Sequence, residues 1–170
     1  MPSFNPLGFV VMGVSGSGKT TLGKALAQKL GWDFYDADDF HLPENVAKMT
    51  NGIPLDDSDR APWLASLHDQ LLYTLNKDRH PVLACSALKE SYRAQLINDL
   101  NRIVLIYLRG SYEIIRSRML SREDHYMKPE MLKGQFDILE EPQDAFVLDV
   151  SMTLGEMLSI TINRFFPEKR

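Results

Sequence analysis

The sequence predicts an α/β fold, a parallel sheet with helices on both of its faces. Three observations carry this expectation. Short apolar runs without polar–apolar alternation recur along the chain, the pattern of strands buried on both sides. Longer amphipathic segments lie between them. A glycine-rich turn joins the first apolar run to the first amphipathic segment. Strands alternating with helices of this kind pair in parallel, because each helix serves as the crossover.

The elements follow in order. Residues 8–14 (GFVVMGV) read as the first strand. Residues 20–30 place Leu22, Ala25, Leu26 and Leu30 along one side of a helix, and Gly31 supplies a C-terminal stop. Residues 33–35 make a short second strand, and 43–50 a short helix. Trp63, Leu64, Leu67, Leu71, Leu72 and Leu75 form a helical stripe that starts after residues 57–62. Residues 81–87 (PVLACSA) and 103–108 (IVLIYL) read as two further buried strands. A helix over 111–121, a last strand over 145–150 (AFVLDV) and a closing helix over 154–166 complete the pattern.

A chain of 170 residues fits one domain, and no repeat, linker or low-complexity tract divides it. Residues 1–7, with two prolines, read as a loose tail. The formal net charge of −4 argues against a nucleic-acid partner, because phosphate backbones demand excess Lys and Arg. No apolar run approaches the roughly 18–20 residues of a membrane span. Cys85 is the single cysteine, which excludes an internal disulfide and a thiolate zinc cluster and makes a cytoplasmic setting the simplest expectation. Between apolar neighbours it reads as an inert buried thiol.

Ligands of such sheets bind beyond the carboxyl ends of the strands. The end of strand one carries Gly13-Val14-Ser15-Gly16-Ser17-Gly18-Lys19-Thr20, a full match to G-x-x-x-x-G-K-[ST]. Glycines let backbone N–H groups turn toward phosphate oxygens, and the helix that follows adds its positive end. Lys19 would reach the β- and γ-phosphates of a nucleotide, the Thr20 hydroxyl would bind Mg²⁺, and Thr21 continues the first turn. No Asp is followed by Gly three residues later, and Asn76-Lys77-Asp78 has the wrong spacing for guanine recognition. A compact phosphate-loop kinase acting on a small molecule or nucleotide remains.

Asp36, Asp38 and Asp39 cluster after strand two, where strand alternation would send Asp36 and Asp38 to the same side. Facing a phosphate loop, one carboxylate can hold Mg²⁺ through its waters while the other accepts a substrate proton. A solvated acidic turn or a helix cap is the plainer alternative. Arg60 precedes the long leucine stripe, and a guanidinium fork suits a carboxylate. Lys89 and Arg93 follow strand three one helical turn apart, with Ser86 at the turn. Arg116, Arg118 and Arg122 follow strand four.

The chain resembles the gluconate kinases, relatives of shikimate and nucleoside-monophosphate kinases. The resemblance lies in GVSGSGKT (13–20), FYDADDFH (34–41), Asn45, Lys48 and Met49, GIPLDDSDRAPWL (52–64), LACSALKESYR (83–93), YLRGSYEIIRSR (107–118), HYM (125–127) and QFDILEEP (135–142). It implies a phosphate-loop NTPase fold with a five-stranded parallel sheet flanked by helices, and a mobile lid at about 119–133. It implies transfer of the γ-phosphoryl of ATP, with Mg²⁺, to the 6-hydroxyl of D-gluconate. By analogy with the D-x-D of shikimate kinases, Asp36 falls in the metal shell and Asp38 on the substrate hydroxyl. His41, Lys48, Arg60, Ser86, Lys89 and Arg93 become substrate contacts. Arg118 would sit near adenine, Arg122 near the phosphates, and His125 in the lid. Gln135 and Glu140 match the resemblance without an evident chemistry. A homodimer is implied on the same ground. Two other readings stay open: a kinase for another small acceptor, and a non-catalytic nucleotide-binding protein.

Overall fold

The computed structural model describes residues 4–122 and 129–168. Its sheet runs β1 (Gly8–Met12), β2 (Asp33–Asp36), β3 (Pro81–Ala84), β4 (Ile103–Arg109) and β5 (Phe146–Asp149). The spatial order is β2-β3-β1-β4-β5, and every pairing is parallel. The helices are α1 (Lys19–Leu30), α2 (Pro43–Thr50), α3 (Asp57–Leu75), α4 (Glu90–Ile97), α5 (Tyr112–Leu120), α6 (Pro129–Ile138) and α7 (Leu154–Phe165), with a short 3-10 turn at Ala37–Phe40.

Alternate residues of β1 feed two separate cores. Phe9 and Val11 join Leu22 and Leu26 of α1, Ile115 and Met119 of α5, Leu132 of α6 and Phe165 of α7. Val10 and Met12 join Trp63, Leu64, Leu67 and Leu71 of α3 with Tyr92 and Leu96 of α4. The sheet is therefore the middle of three layers, and β1 is fully buried along its length.

This topology positions the site. After β1 the chain crosses to β2 on one side, returns through β3, and then passes β1 to reach β4 on the other. The order of strands reverses at β1, and such a reversal opens a crevice at the carboxyl ends. The segments after β1, β3 and β2 lie side by side there. Two glycines shape the first of them. A Cβ on Gly13 would stand 2.6 Å from Ser17 Oγ and 3.0 Å from the Leu108 carbonyl, and Gly16 has φ +80°.

Some boundaries differ from the sequence expectation. β1 stops at Met12 and β3 at Ala84, two and three residues early, because the chain turns into loops that face the crevice. One ladder bond persists past β3, from Cys85 N–H to the Val11 carbonyl at 3.0 Å. Helix α3 starts at Asp57 and not after Pro62. Asp56 caps it, accepting from Asp59 N–H, while the Asp59 side chain accepts from Asp56 N–H. Pro62 lies inside the helix, past this reciprocal cap. Helix α6, absent from the expectation, seats Leu132 in the core beside α5.

Candidate active site

Helix α1 begins at a glycine N-cap, Gly18, which offers no side-chain oxygen to the first N–H groups of the helix. Those donors are left for an external acceptor, and the helix dipole favours an anion. Ser15, Gly16, Gly18, Lys19, Thr20 and Thr21 line a cavity of about 1190 Å³ at this point. Gly13, Val14 and Ser17 lie buried beneath the loop, and the Ser17 hydroxyl has no hydrogen-bond partner among the described residues. Lys19 Nζ donates to the Val14 carbonyl at 3.1 Å. Burial pulls its ammonium below the ordinary lysine range, while Asp38, Cys85 and Asp36 oppose that shift.

The acidic residues meet the loop directly. Thr20 Oγ1 donates to Asp36 Oδ2 at 2.7 Å, and Asp36 Oδ1 accepts from Asp38 N–H at 3.0 Å. Strand alternation is not what brings Asp36 and Asp38 together. β2 ends at Asp36, and the 3-10 turn folds Asp38 back over it. Asp39 is outside the cavity lining. Asp38 Oδ1 stands 3.8 Å from His41 Nε2, and His41 stacks on Trp63 with ring centroids 4.4 Å apart. Trp63 is in turn fixed by its Nε1–H donating to the Ala37 carbonyl at 2.8 Å. The contact with His41, aided by Lys19, holds the Asp38 carboxyl below the usual aspartate value. His41 Nδ1 is buried without a partner among the described residues.

Opposite the phosphate loop, Arg60, Lys89, Tyr92 and Asp57 form one cluster on the cavity wall. Arg60 Nη1 donates to the Leu55 carbonyl at 2.5 Å and to Tyr92 Oη at 3.2 Å. Tyr92 Oη donates to Asp57 Oδ1 at 2.5 Å, and Lys89 Nζ lies 3.2 Å from the same oxygen. Tyr92 and Lys89 hold the Asp57 carboxyl below its usual range, and Asp57 raises the Lys89 ammonium in return. Ser86, Met49 and Arg122 also line the cavity.

Three expected contacts sit elsewhere. Lys48 turns from the cavity to pair with Asp59 Oδ1 at 2.7 Å, tying α2 to the start of α3 beside the bond from Asn45 Nδ2 to the Asp59 carbonyl. Arg93 does not share a face with Lys89. Lys89 has extended backbone as the N-cap of α4, whereas Arg93 is buried and donates from Nη1 to the Ala87 and Leu88 carbonyls at 2.9 and 3.1 Å. Ala87 has φ +45°, a strained conformation for a residue with a Cβ, and Arg93 pins that turn. Arg118 donates from Nη2 to the Val150 carbonyl and is outside the cavity lining. His125 lies outside the described residues.

Gln135 and Glu140 acquire contacts that their positions in sequence did not suggest. Gln135 Oε1 accepts from Ser15 N–H at 2.7 Å, so α6 grips the phosphate loop. Glu140 Oε2 accepts from Glu90 N–H at 2.7 Å and caps α4, whose N-cap Lys89 offers no side-chain acceptor. Neither contact has a local sequence signal, since the partners are 120 and 50 residues apart. Cys85 is buried, and burial pushes its thiol up to about 12, consistent with an inert role.

A phosphate cradle, two carboxylates and a cation pair around one crevice define a phosphate-loop kinase. The comparisons give the particular family. A family model described as shikimate kinase matches residues 15–144. A probable gluconokinase of Mus musculus is 49% identical over 150 residues, covering 78% of this chain and 82% of that protein. A gluconokinase of Gluconobacter oxydans is 47% identical over 139 residues, covering 82% and 78%. The crystal structure of a gluconokinase from Sinorhizobium meliloti superposes with TM-score 0.80 at 40% identity, covering 91% of this chain and 88% of that one. The chain belongs to the gluconokinase family, within the wider shikimate kinase group.

Proposed function

We propose that the protein transfers the γ-phosphoryl group of ATP to the 6-hydroxyl of D-gluconate, giving 6-phospho-D-gluconate and ADP. The observation that carries the proposal is the single crevice that sets Lys19, Asp36 and Asp38 opposite Arg60 and Lys89. One wall suits polyphosphate and the other suits a carboxylate.

The acceptor lies with its carboxylate toward Arg60 and Lys89 and its far hydroxyl toward Asp38. As O6 attacks the γ-phosphorus, its proton passes to an Asp38 carboxylate oxygen. The O6–phosphorus bond forms, and the bond from phosphorus to the β–γ bridging oxygen breaks, leaving ADP. Lys19 and Arg122 meet the charge on the phosphoryl oxygens. Ser86 and His41, both on the cavity wall, bind hydroxyls. Mg²⁺ fits beside the Thr20 hydroxyl and Asp36, an all-oxygen pair, and when bound it neutralises phosphate charge. No group of three or more His, Cys, Asp or Glu surrounds that point among the described residues. Phosphates and waters would complete the shell, as is usual for Mg²⁺.

We further infer one kinase domain spanning residues 1–170, with a lid at about 119–133, of which 123–128 lie outside the described residues, working in the cytoplasm with the homodimer as its assembly and no nucleic-acid or membrane partner. No helix among the described residues is long and apolar enough to cross a membrane. An ADP-release assay with gluconate, shikimate, CMP or no acceptor tests the function. Gluconate-dependent release alone is expected. Preference for shikimate or CMP, or release indifferent to any acceptor, refutes it.

A further inference from the structure

We propose that Tyr92 is a positioning residue for acceptor selection, holding Arg60 and Lys89 on one wall as a cation pair that one carboxylate can engage. The proposal rests on the reading of Arg60 and Lys89 given above. Two like charges in a partly buried wall repel, and long flexible side chains would relieve this by swinging out to water. Here they do not. The Arg60 guanidinium and the Lys89 ammonium each lie 5.4 Å from the centroid of the same Tyr92 ring. The π-electrons of that ring attract both cations and hold them to one support.

The hydroxyl adds direction. It accepts from Arg60 Nη1 and donates to Asp57, which also takes Lys89, so one oxygen orients both cations. These bonds use Nη1 of Arg60 and leave Nη2 and Nε for a ligand. Tyr92 is itself only 4% exposed and packs in the α3–α4 core, so its ring is a rigid support. A carboxylate entering the wall finds a guanidinium edge and an ammonium at fixed separation. A neutral sugar offers neither cation a carboxylate, and Arg60 then has only neutral oxygens as partners. Tyr92 thereby acts through its neighbours to set the preference for an acidic acceptor.

Steady-state kinetics of Tyr92→Phe and Tyr92→Leu, beside Arg60→Met and Lys89→Met, test this. Tyr92→Phe keeps the ring and removes the hydroxyl. Its KM for gluconate should rise roughly tenfold, the scale of one hydrogen bond, while its KM for ATP stays within twofold and kcat falls less than KM rises. Tyr92→Leu removes the ring as well. Its rise should be larger, and the kcat/KM ratio of gluconate to glucose should fall. A merely structural role would move ATP and gluconate parameters together. If the Arg60 and Lys89 variants raise the gluconate KM but both Tyr92 variants leave it unchanged, the positioning role is overturned and the carboxylate reading stands. If the Arg60 and Lys89 variants leave it unchanged, the carboxylate reading fails and takes this inference with it. Should Tyr92→Leu not fold, Tyr92→Phe alone decides.

Discussion

Replacing Asp36 by Asn separates its charge from its shape. In the structure one carboxylate oxygen accepts the Thr20 hydroxyl at 2.7 Å and the other accepts Asp38 N–H at 3.0 Å. Asparagine keeps a single acceptor oxygen, so it can serve one of these donors and must turn an NH₂ group toward the other. A hydrogen bond to a charged group contributes about 1.5–3 kcal/mol, equivalent to roughly 10–150-fold in an equilibrium. If Asp36 acts by ordering the water shell of Mg²⁺ and the Thr20 hydroxyl, that loss falls on metal binding. Excess metal then recovers it by mass action. Asp36→Asn should lose about 10–100-fold in kcat/KM at low Mg²⁺ and regain activity to within about fivefold at saturating Mg²⁺. The assay is ADP release across a Mg²⁺ series at fixed free ATP. A loss that is equal at every Mg²⁺ concentration, or no loss at all, refutes the assignment.

Asp38→Asn should lower kcat by roughly 10²–10⁴ with ATP affinity kept, and Mg²⁺ should not rescue it; full kcat in this variant would remove Asp38 as the proton acceptor. Because the Asp38 carboxyl is held below the usual value of about 3.9, it is ionised at all higher pH and activity is lost only as pH falls through that depressed value. A profile of kcat against pH should therefore stay flat on this account down to about pH 5, and His41→Phe should shift the acid limb upward. Burial lowers the Lys19 pKa, so ATP affinity should weaken as pH rises through a value below the ordinary lysine value of about 10.4, and affinity that weakens only above that value would contradict this. Arg93→Met should leave the Ala87 carbonyl of a strained turn without its donor, the Leu88 carbonyl keeping Glu140 N–H, and destabilise by about 1–3 kcal/mol, a fall of roughly 2–12 °C in Tm by circular dichroism. An unchanged Tm with a raised gluconate KM would return Arg93 to the substrate.

The sheet and the phosphate loop were legible because their causes are local. A buried parallel strand needs a continuous apolar run, and the loop needs glycines at fixed offsets before a helix. The reach of side chains was legible only where the backbone carried them directly, as with Lys19, Thr20 and Asp36. Lys48, Arg93 and Arg118 show the limit. Each follows a strand end or lies near the site in sequence, yet each is spent on a partner that sequence spacing does not reveal: Asp59, the turn at Ala87, and the Val150 carbonyl. Arg93 was hidden by a one-residue matter. Because α4 starts at Glu90, Lys89 is its extended cap and its side chain leaves in another direction. The contact of α6 with the phosphate loop escaped because Gln135 and Ser15 stand 120 residues apart.

The contacts of α6 also bear on how one crevice keeps its two walls in register. The phosphate wall is fixed to β1 and α1, but the acceptor wall rides on the start of α3 and the loop before α4. Those segments belong to the opposite layer of the sandwich, tied to the phosphate side by the sheet and by the 3-10 turn that joins Asp36 to Trp63 of α3. Gln135 and Glu140 give a further tie. Within six residues the chain grips Ser15 N–H on the phosphate side and Glu90 N–H at the head of α4 on the acceptor side, next to Lys89. Glu140 N–H also donates to the Leu88 carbonyl at 2.9 Å, the same carbonyl that Arg93 holds. A displacement of the acceptor wall must therefore pull on the phosphate loop. Transfer requires the attacking oxygen and the γ-phosphorus within about 3–3.5 Å. A short strap between the walls is one way for this fold to keep that distance while the acceptor's own contacts stand at the starts of α3 and α4.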